Sequence, residues 1–209
     1  MTVEDILRAG PVMPVVVIDD AAHAVPLARA LVAGGIRAIE ITLRTGAALD
    51  AIQAISREVP DAIPGVGTAL TGADVLAALE AGARFIVSPG ATPALMDAAI
   101  GSGLPFLPGV ATASELMAGM AAGLSAFKFF PAAQAGGVEA LKALAGPFPS
   151  ARFCPTGGVS AANAATYLAL PNVLCVGGSW IAPREAIAAG DFAKIEQLAR
   201  EAAGLRAIT

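Results

Sequence analysis

From Phe153 to Pro183 the chain carries no charged side chain; the run opens Phe153-Cys154-Pro155-Thr156-Gly157-Gly158 and returns to Val173-Leu174-Cys175-Val176-Gly177-Gly178. Its length alone would span a bilayer. Yet Pro155, Gly157, Gly158, Pro171, Gly177 and Gly178 break it at intervals that suit strands and turns rather than one helix. Short continuous apolar runs belong to strands buried on both faces of a parallel sheet. The same reading accounts for a mean hydropathy of +0.71. The chain is therefore expected to be soluble, with no membrane partner.

Working outward, similar runs recur along all 209 residues. Expected strands are Val12–Ile18, Ala38–Leu43, Ile63–Val66, Phe85–Ser88, Pro105–Leu107, Ala126–Phe130, Arg152–Pro155 and Val173–Val176. Helical patterns separate them: Ala21–Ala33, Ala47–Glu58, Ala73–Ala81, Pro93–Ile100, Ala113–Ala122 and Ala161–Leu168, with the amphipathic Phe192–Ala203 last. Glu4–Ala9 adds a helix in front. Gly34-Gly35, Ala81-Gly82 and Ala122-Gly123 stop three of the helices. Eight strands alternating with helices at this length predict an α/β fold, a single-domain (β/α)8 TIM barrel over residues 1–209 with an extra N-terminal helix. An open doubly wound sheet is the alternative, although Gly65-Val66-Gly67 lacks the third glycine of a dinucleotide loop and reads as a tight strand exit.

Composition narrows the function. A net charge of −4 with scattered basic residues leaves no stripe for nucleic acid. The single histidine, His23, lies away from Cys154 and Cys175, so neither a metal centre nor a Ser-His-Asp triad is expected. No metal and no cofactor are called for. The two cysteines read as buried free thiols, and Met1-Thr2-Val3-Glu4-Asp5 does not resemble a signal peptide, so a cytoplasmic setting is expected.

The chemistry gathers at the C-terminal ends of the strands, where barrels of this kind work. In Ser125-Ala126-Phe127-Lys128-Phe129-Phe130-Pro131, alternation sets Lys128 on one face with Ala126 and Phe130. An ammonium inside a protein either meets a carboxylate or sheds its proton, and a neutral amine attacks carbonyls. In Ala38-Ile39-Glu40-Ile41-Thr42-Leu43-Arg44, the isoleucines face one way while Glu40, Thr42 and Arg44 face the other. Glu40 and Arg44 either pair internally or serve beside Lys128 as acid/base and carboxylate clamp. Thr68 follows the third strand, as an anion contact or a helix cap. Paired glycines end the last two strands, Gly157-Gly158 and Gly177-Gly178-Ser179, where barrels commonly bind phosphate through backbone N–H groups.

These segments together resemble the 2-keto-3-deoxy-6-phosphogluconate aldolases, many of which are also 4-hydroxy-2-oxoglutarate aldolases. The likeness runs from Val12-Met13-Pro14-Val15 to Gly177-Gly178-Ser179-Trp180. It is most specific in Glu40-Ile41-Thr42-Leu43-Arg44-Thr45, Ser88-Pro89-Gly90, Phe127-Lys128-Phe129-Phe130-Pro131-Ala132 and Arg152-Phe153-Cys154-Pro155-Thr156-Gly157-Gly158. The resemblance implies a metal-independent class I aldolase with Lys128 as Schiff-base lysine and Glu40 as general acid/base. It further implies Arg44 and Thr68 on the substrate carboxylate, Pro89 and Phe130 lining the pocket, and Gly157, Gly158, Gly178 and Ser179 on the phosphate. Pyruvate, a phosphorylated 2-keto acid and a homotrimer are the partners it suggests. Relatives commonly carry alanine where this chain has Val66, which would place a larger side chain near the mouth, and glutamate where it has Ala133. An aldolase or decarboxylase for another small 2-keto acid, or a non-catalytic binding barrel, remains the alternative.

Overall fold

In a computed structural model that describes residues 1–206, short strands and helices alternate along the chain. In order they are α1 (Val3–Leu7), β1 (Val12–Val16), α2 (Ala24–Ala33), β2 (Ala38–Thr42), α3 (Ala48–Glu58), β3 (Ile63–Gly67) and α4 (Gly72–Glu80). There follow β4 (Ile86–Val87), α5 (Pro93–Gly101), β5 (Phe106–Leu107), β6 (Gly109–Val110), α6 (Ala113–Ala121), β7 (Ala126–Phe129) and α7 (Gly137–Ala145). The last are β8 (Arg152–Pro155), α8 (Ala164–Leu168), β9 (Val176–Gly178), α9 (Arg184–Ala188) and α10 (Phe192–Ala203). Thr2, Thr71 and Thr112 cap α1, α4 and α6, each in a capping box with the acidic residue three positions on. The glycines read as stops fall just past the helices: Gly35, Gly82 and Gly123 have φ of +91°, +77° and +86°.

The strands form a six-stranded sheet, in the order β5-β4-β3-β2-β1-β9, and a three-stranded sheet, β6-β7-β8, every pairing parallel. Sequence reasoning expected eight strands in one closed sheet; the ladder pairing divides the strands between two sheets, and the causes of the division are local. Pro108, which has no N–H to give a ladder, separates β5 from β6. At the other boundary Phe153 pairs with Val173 and Thr156 with Gly177, so three steps on one side face four on the other. The extra residue is a bulge at Leu174-Cys175. It displaces the last strand from the expected Val173–Val176 to Val176–Gly178.

Two hydrophobic layers follow from strand alternation. Ile39, Ile41, Val66, Phe127, Phe129 and Phe153 pack outward against the helices. Phe153 meets Phe127 and Phe129 with ring centroids 6.3 Å away in each case. Each of these fully buried rings contributes roughly 1.5–3 kcal/mol by its removal from water. The inner layer draws Met13, Ala38, Ile63, Phe85, Val87, Leu107, Ala126, Cys154, Leu174 and Cys175 from both sheets, with Ile6 and Leu7 of α1 joining it. The bulge turns both Leu174 and Cys175 into this layer. Cys154 and Cys175 are buried and not joined as a disulfide, and their Sγ atoms lie 3.5 Å apart. No helix among the described residues is long and apolar enough to cross a membrane.

Candidate active site

All four residues of β7 are buried, and with Phe127 and Phe129 outward Lys128 has only the inner side to occupy. β2 repeats the pattern: Ile39 and Ile41 pack outward, Ala38 lies in the inner layer, and Glu40 is directed inward with it. The two side chains, 88 positions apart and in different sheets, meet there. Lys128 Nζ donates to Glu40 Oε1 at 2.9 Å, with only 7% and 2% of the two side chains exposed. The ammonium also lies 5.4 Å from the centroid of the half-buried Phe130 ring, whose π face favours a cation. The resting site therefore holds a charge-balanced pair, and an acid and an amine within proton-transfer distance of each other.

Arg44 lies just beyond the strand. β2 ends at Thr42, and beyond it Leu43 and Arg44 follow a turn, where strand alternation no longer directs side chains. Arg44 is exposed and makes no ion pair among the described residues, so of the two readings left open the internal Glu40–Arg44 pair does not form, and Glu40 pairs with Lys128. Thr68 is not a helix cap either; Thr71 caps α4. Thr68 is instead a half-buried β-branched residue with φ of +61°, directly after β3. Such a backbone costs about 1–3 kcal/mol and is characteristic of functional sites. Val66 packs into the outer layer, so the larger side chain expected near the mouth faces the helices.

Pro89 is half-buried after β4, and its carbonyl closes over Gly109, where a Cβ would lie 2.1 Å from the Pro89 oxygen. Gly109 is the ladder partner of Lys128, so Pro89 borders the lysine strand. On the other side Lys128 pairs with Cys154. Gly157 is three residues further along that strand's exit, about 10 Å at the usual rise per residue. Gly157 and Gly158 take φ of +96° and +75°, a turn closed to other residues without strain. The Thr156–Gly177 bridge sets this turn beside Gly178 and the exposed Ser179. Gly178 is held to glycine by Trp180, whose ring would lie 1.7 Å from a Cβ there. The N–H groups of Gly157, Gly158 and Ser179 have no hydrogen-bond acceptor among the described residues.

Sequence reasoning assigned nothing to three buried hydroxyls at strand exits. Thr42 Oγ1 donates to the Val16 carbonyl at 2.9 Å; Thr156 lies with its Oγ1 3.9 Å from Cys154 Sγ; Ser88 Oγ is the buried side-chain polar atom without a hydrogen-bond partner among the described residues. Only their position at strand ends could have marked them. Arg184, left unassigned, makes a two-point contact with Asp19 at 2.7 and 2.6 Å, joining α9 to the loop after β1. Hydrogen bonding to the guanidinium holds the Asp19 carboxyl below its usual range. No group of three or more His, Cys, Asp and Glu among the described residues is placed to share a metal ion.

Residues 3–198 match the family model for KDPG and KHG aldolases. The chain belongs to the KDPG and KHG aldolase family. As an aldolase it is a lyase. The KHG/KDPG aldolase of Escherichia coli (strain K12) is 57% identical over 199 residues, which is 95% of this chain and 93% of the relative. The aldolase also superimposes on solved structures. One is a KDPG aldolase from Legionella pneumophila with pyruvate captured at low pH as a covalent carbinolamine intermediate. It is 47% identical with a TM-score of 0.95, covering 97% of this chain and 98% of the other. Another is the 2-keto-3-deoxy-6-phosphogluconate aldolase of Zymomonas mobilis ZM4 with 3-phosphoglycerate. It is 48% identical with a TM-score of 0.92, covering 98% and 96%.

Proposed function

We propose that Lys128 is the Schiff-base nucleophile with which this class I aldolase cleaves 2-keto-3-deoxy-6-phosphogluconate to pyruvate and glyceraldehyde 3-phosphate. 4-Hydroxy-2-oxoglutarate, giving pyruvate and glyoxylate, is the second substrate. The observation that carries this reading is the buried 2.9 Å contact between Lys128 Nζ and Glu40 Oε1. Glu40 takes the ammonium proton, and the freed amine attacks the C2 ketone. Glu40 returns the proton to the departing hydroxyl, and loss of water leaves a protonated imine. That cation accepts the electron pair of the C3–C4 bond as Glu40, directly or through a water, removes the C4 hydroxyl proton and the aldehyde leaves. The same carboxylic acid protonates the enamine, and hydrolysis frees pyruvate. No step calls for a metal or a cofactor.

Arg44 at the mouth and Thr68 hold the substrate carboxylate, so that C2 comes to the amine; such positioning supplies much of the rate. Pro89 and Phe130 wall the pocket. The Gly157-Gly158 turn and Gly178-Ser179 take the phosphate through backbone N–H groups, about one substrate length from Lys128. The Zymomonas relative with 3-phosphoglycerate supports a phosphorylated ligand.

The two sheets are read as one closed (β/α)8 barrel, and the whole chain as one domain. A single inner layer fed from both sheets, with the Thr156–Gly177 bridge across one seam, supports closure. Two buried cysteines that close no disulfide although their Sγ atoms lie 3.5 Å apart support a reducing, cytoplasmic setting. Exposed Leu70, Leu76, Leu79, Ile100 and Met117 on α4, α5, α6 and the loop before α4 support a face covered by further copies, read as a homotrimer. A designed cage built by fusing symmetric oligomeric domains, 26% identical with a TM-score of 0.79, is in keeping with this. Light scattering is expected to give three times 20.6 kDa, and Leu76→Glu to shift it toward the monomer.

Borohydride trapping with pyruvate, followed by peptide mass mapping, tests the chemistry. The expected product is one reduced pyruvyl adduct, on Lys128. Folded protein without an adduct overturns the mechanism, and comparative kinetics on the two keto acids then ranks them or retires both.

A further inference from the structure

The Gly65-Val66-Gly67 segment of β3 is not the tight exit that its sequence suggested. Its residues pair in register with β2, Glu40 opposite Gly65 and Thr42 opposite Gly67, and Val66 also pairs with Ile86 of β4. Ile63 belongs to the inner layer and Val66 to the outer one, so positions 63, 65 and 67 face inward. Neither glycine has a left-handed backbone, so conformational freedom is not why glycine stands there. Space is. A Cβ at position 65 would lie 2.4–2.5 Å from the Phe85 ring, and one at position 67 would lie 2.5 Å from Glu40 Oε1, 2.6 Å from its Cγ and 2.9 Å from its Cδ.

The two glycines are thus slots that neighbouring strands fill, the lower with an aromatic ring and the upper with a carboxylate. We infer that Gly67 is a positioning residue for the reaction. Its bare Cα is the wall against which the Glu40 carboxylate rests, and that wall holds Oε1 on Lys128; this rests on the reading of Glu40 as acid/base. A methyl group at position 67 cannot be relieved by moving the strand. β3 is bonded to strands on both sides, and the Gly67 carbonyl accepts from Leu43 N–H at 2.9 Å. The carboxylate must swing instead. The atom hit hardest is the one that binds the ammonium.

Gly67→Ala tests this, with Gly65→Ala as the control that strikes the Phe85 ring. For Gly67→Ala we expect kcat for cleavage to fall about 10–100-fold, as a misplacement near 1 Å does, with KM changed by less than about threefold. Borohydride-trappable imine with pyruvate still maps to Lys128 but forms more slowly. Gly65→Ala lowers thermal stability while kcat per folded protein stays within about threefold of the parent. Because Gly67 acts through Glu40, Gly67→Ala is expected to cost nothing further in a Glu40→Gln background. A Gly67→Ala kcat within twofold of the parent, or a loss that persists undiminished on top of Glu40→Gln, overturns the inference. If Gly67→Ala does not fold, Glu40→Asp, one methylene shorter, is introduced beside it; recovered folding supports the clash and failure to recover overturns it. Full activity in Glu40→Gln itself would instead refute the acid/base reading, which separates the two failures.

Discussion

Lys128→Arg is expected to abolish aldol cleavage, by about 10⁴-fold or more, in a protein that folds as before. Arginine keeps the positive charge that Glu40 needs, yet its guanidinium stays protonated and cannot condense with a ketone. Charge retention matters because the pair is buried at 2.9 Å, with 7% and 2% of the side chains exposed. Lys128→Ala would leave a carboxylate uncompensated in the interior, at about 3–5 kcal/mol, and lost activity would be confounded with lost structure. With Arg, unchanged near-ultraviolet circular dichroism and thermal midpoint would accompany zero pyruvate release and no borohydride adduct. Near-normal cleavage in that variant would remove Lys128 from the mechanism.

Glu40→Gln is the second large effect, about 10²–10⁴-fold in kcat, the usual weight of a positioned acid/base. The amide has the carboxylate's shape, so it fits over Gly67, and its oxygen still accepts from Lys128 Nζ. It cannot carry a proton between the amine, the C4 hydroxyl and the enamine. Imine formation with pyruvate should therefore survive at a reduced rate while cleavage nearly stops. That split between trapping and turnover separates a proton carrier from a residue that merely holds the lysine. Cleavage within twofold of the parent would remove Glu40 from the proton path. The lost ion pair is also expected to lower the thermal midpoint, measured by calorimetry on the same preparation.

Much of the candidate site was legible because strand alternation is local. Ile39 and Ile41 set Glu40 on the opposite face, and Phe127 and Phe129 did the same for Lys128, without any knowledge of what lay across the interior. The glycine stops at positions 35, 82 and 123 were legible for the same reason, since a helix end is settled within one turn. α7 escaped because Gly136 and Gly137, both with positive φ, open it, where the Gly34-Gly35 pair closes a helix. α9 is one short turn and a half after Pro183, too brief for periodicity to register. Arg44 was less legible, because it lies two residues beyond the end of β2, where alternation no longer sets a side chain's direction.

The amino-acid sequence by itself determined the alternation of strands and helices, the two-sided burial of the strands and the inward direction of Lys128 and Glu40. Each depends on residues within a few positions of one another. Only the tertiary structure decided that Glu40 pairs with Lys128 and not Arg44, 88 residues being spanned by a single contact. It alone decided that Pro108 and the Leu174-Cys175 bulge divide the sheets, and that Gly67 makes room for a carboxylate. Register and close approach are set by what the facing strand brings, and no local pattern carries that information.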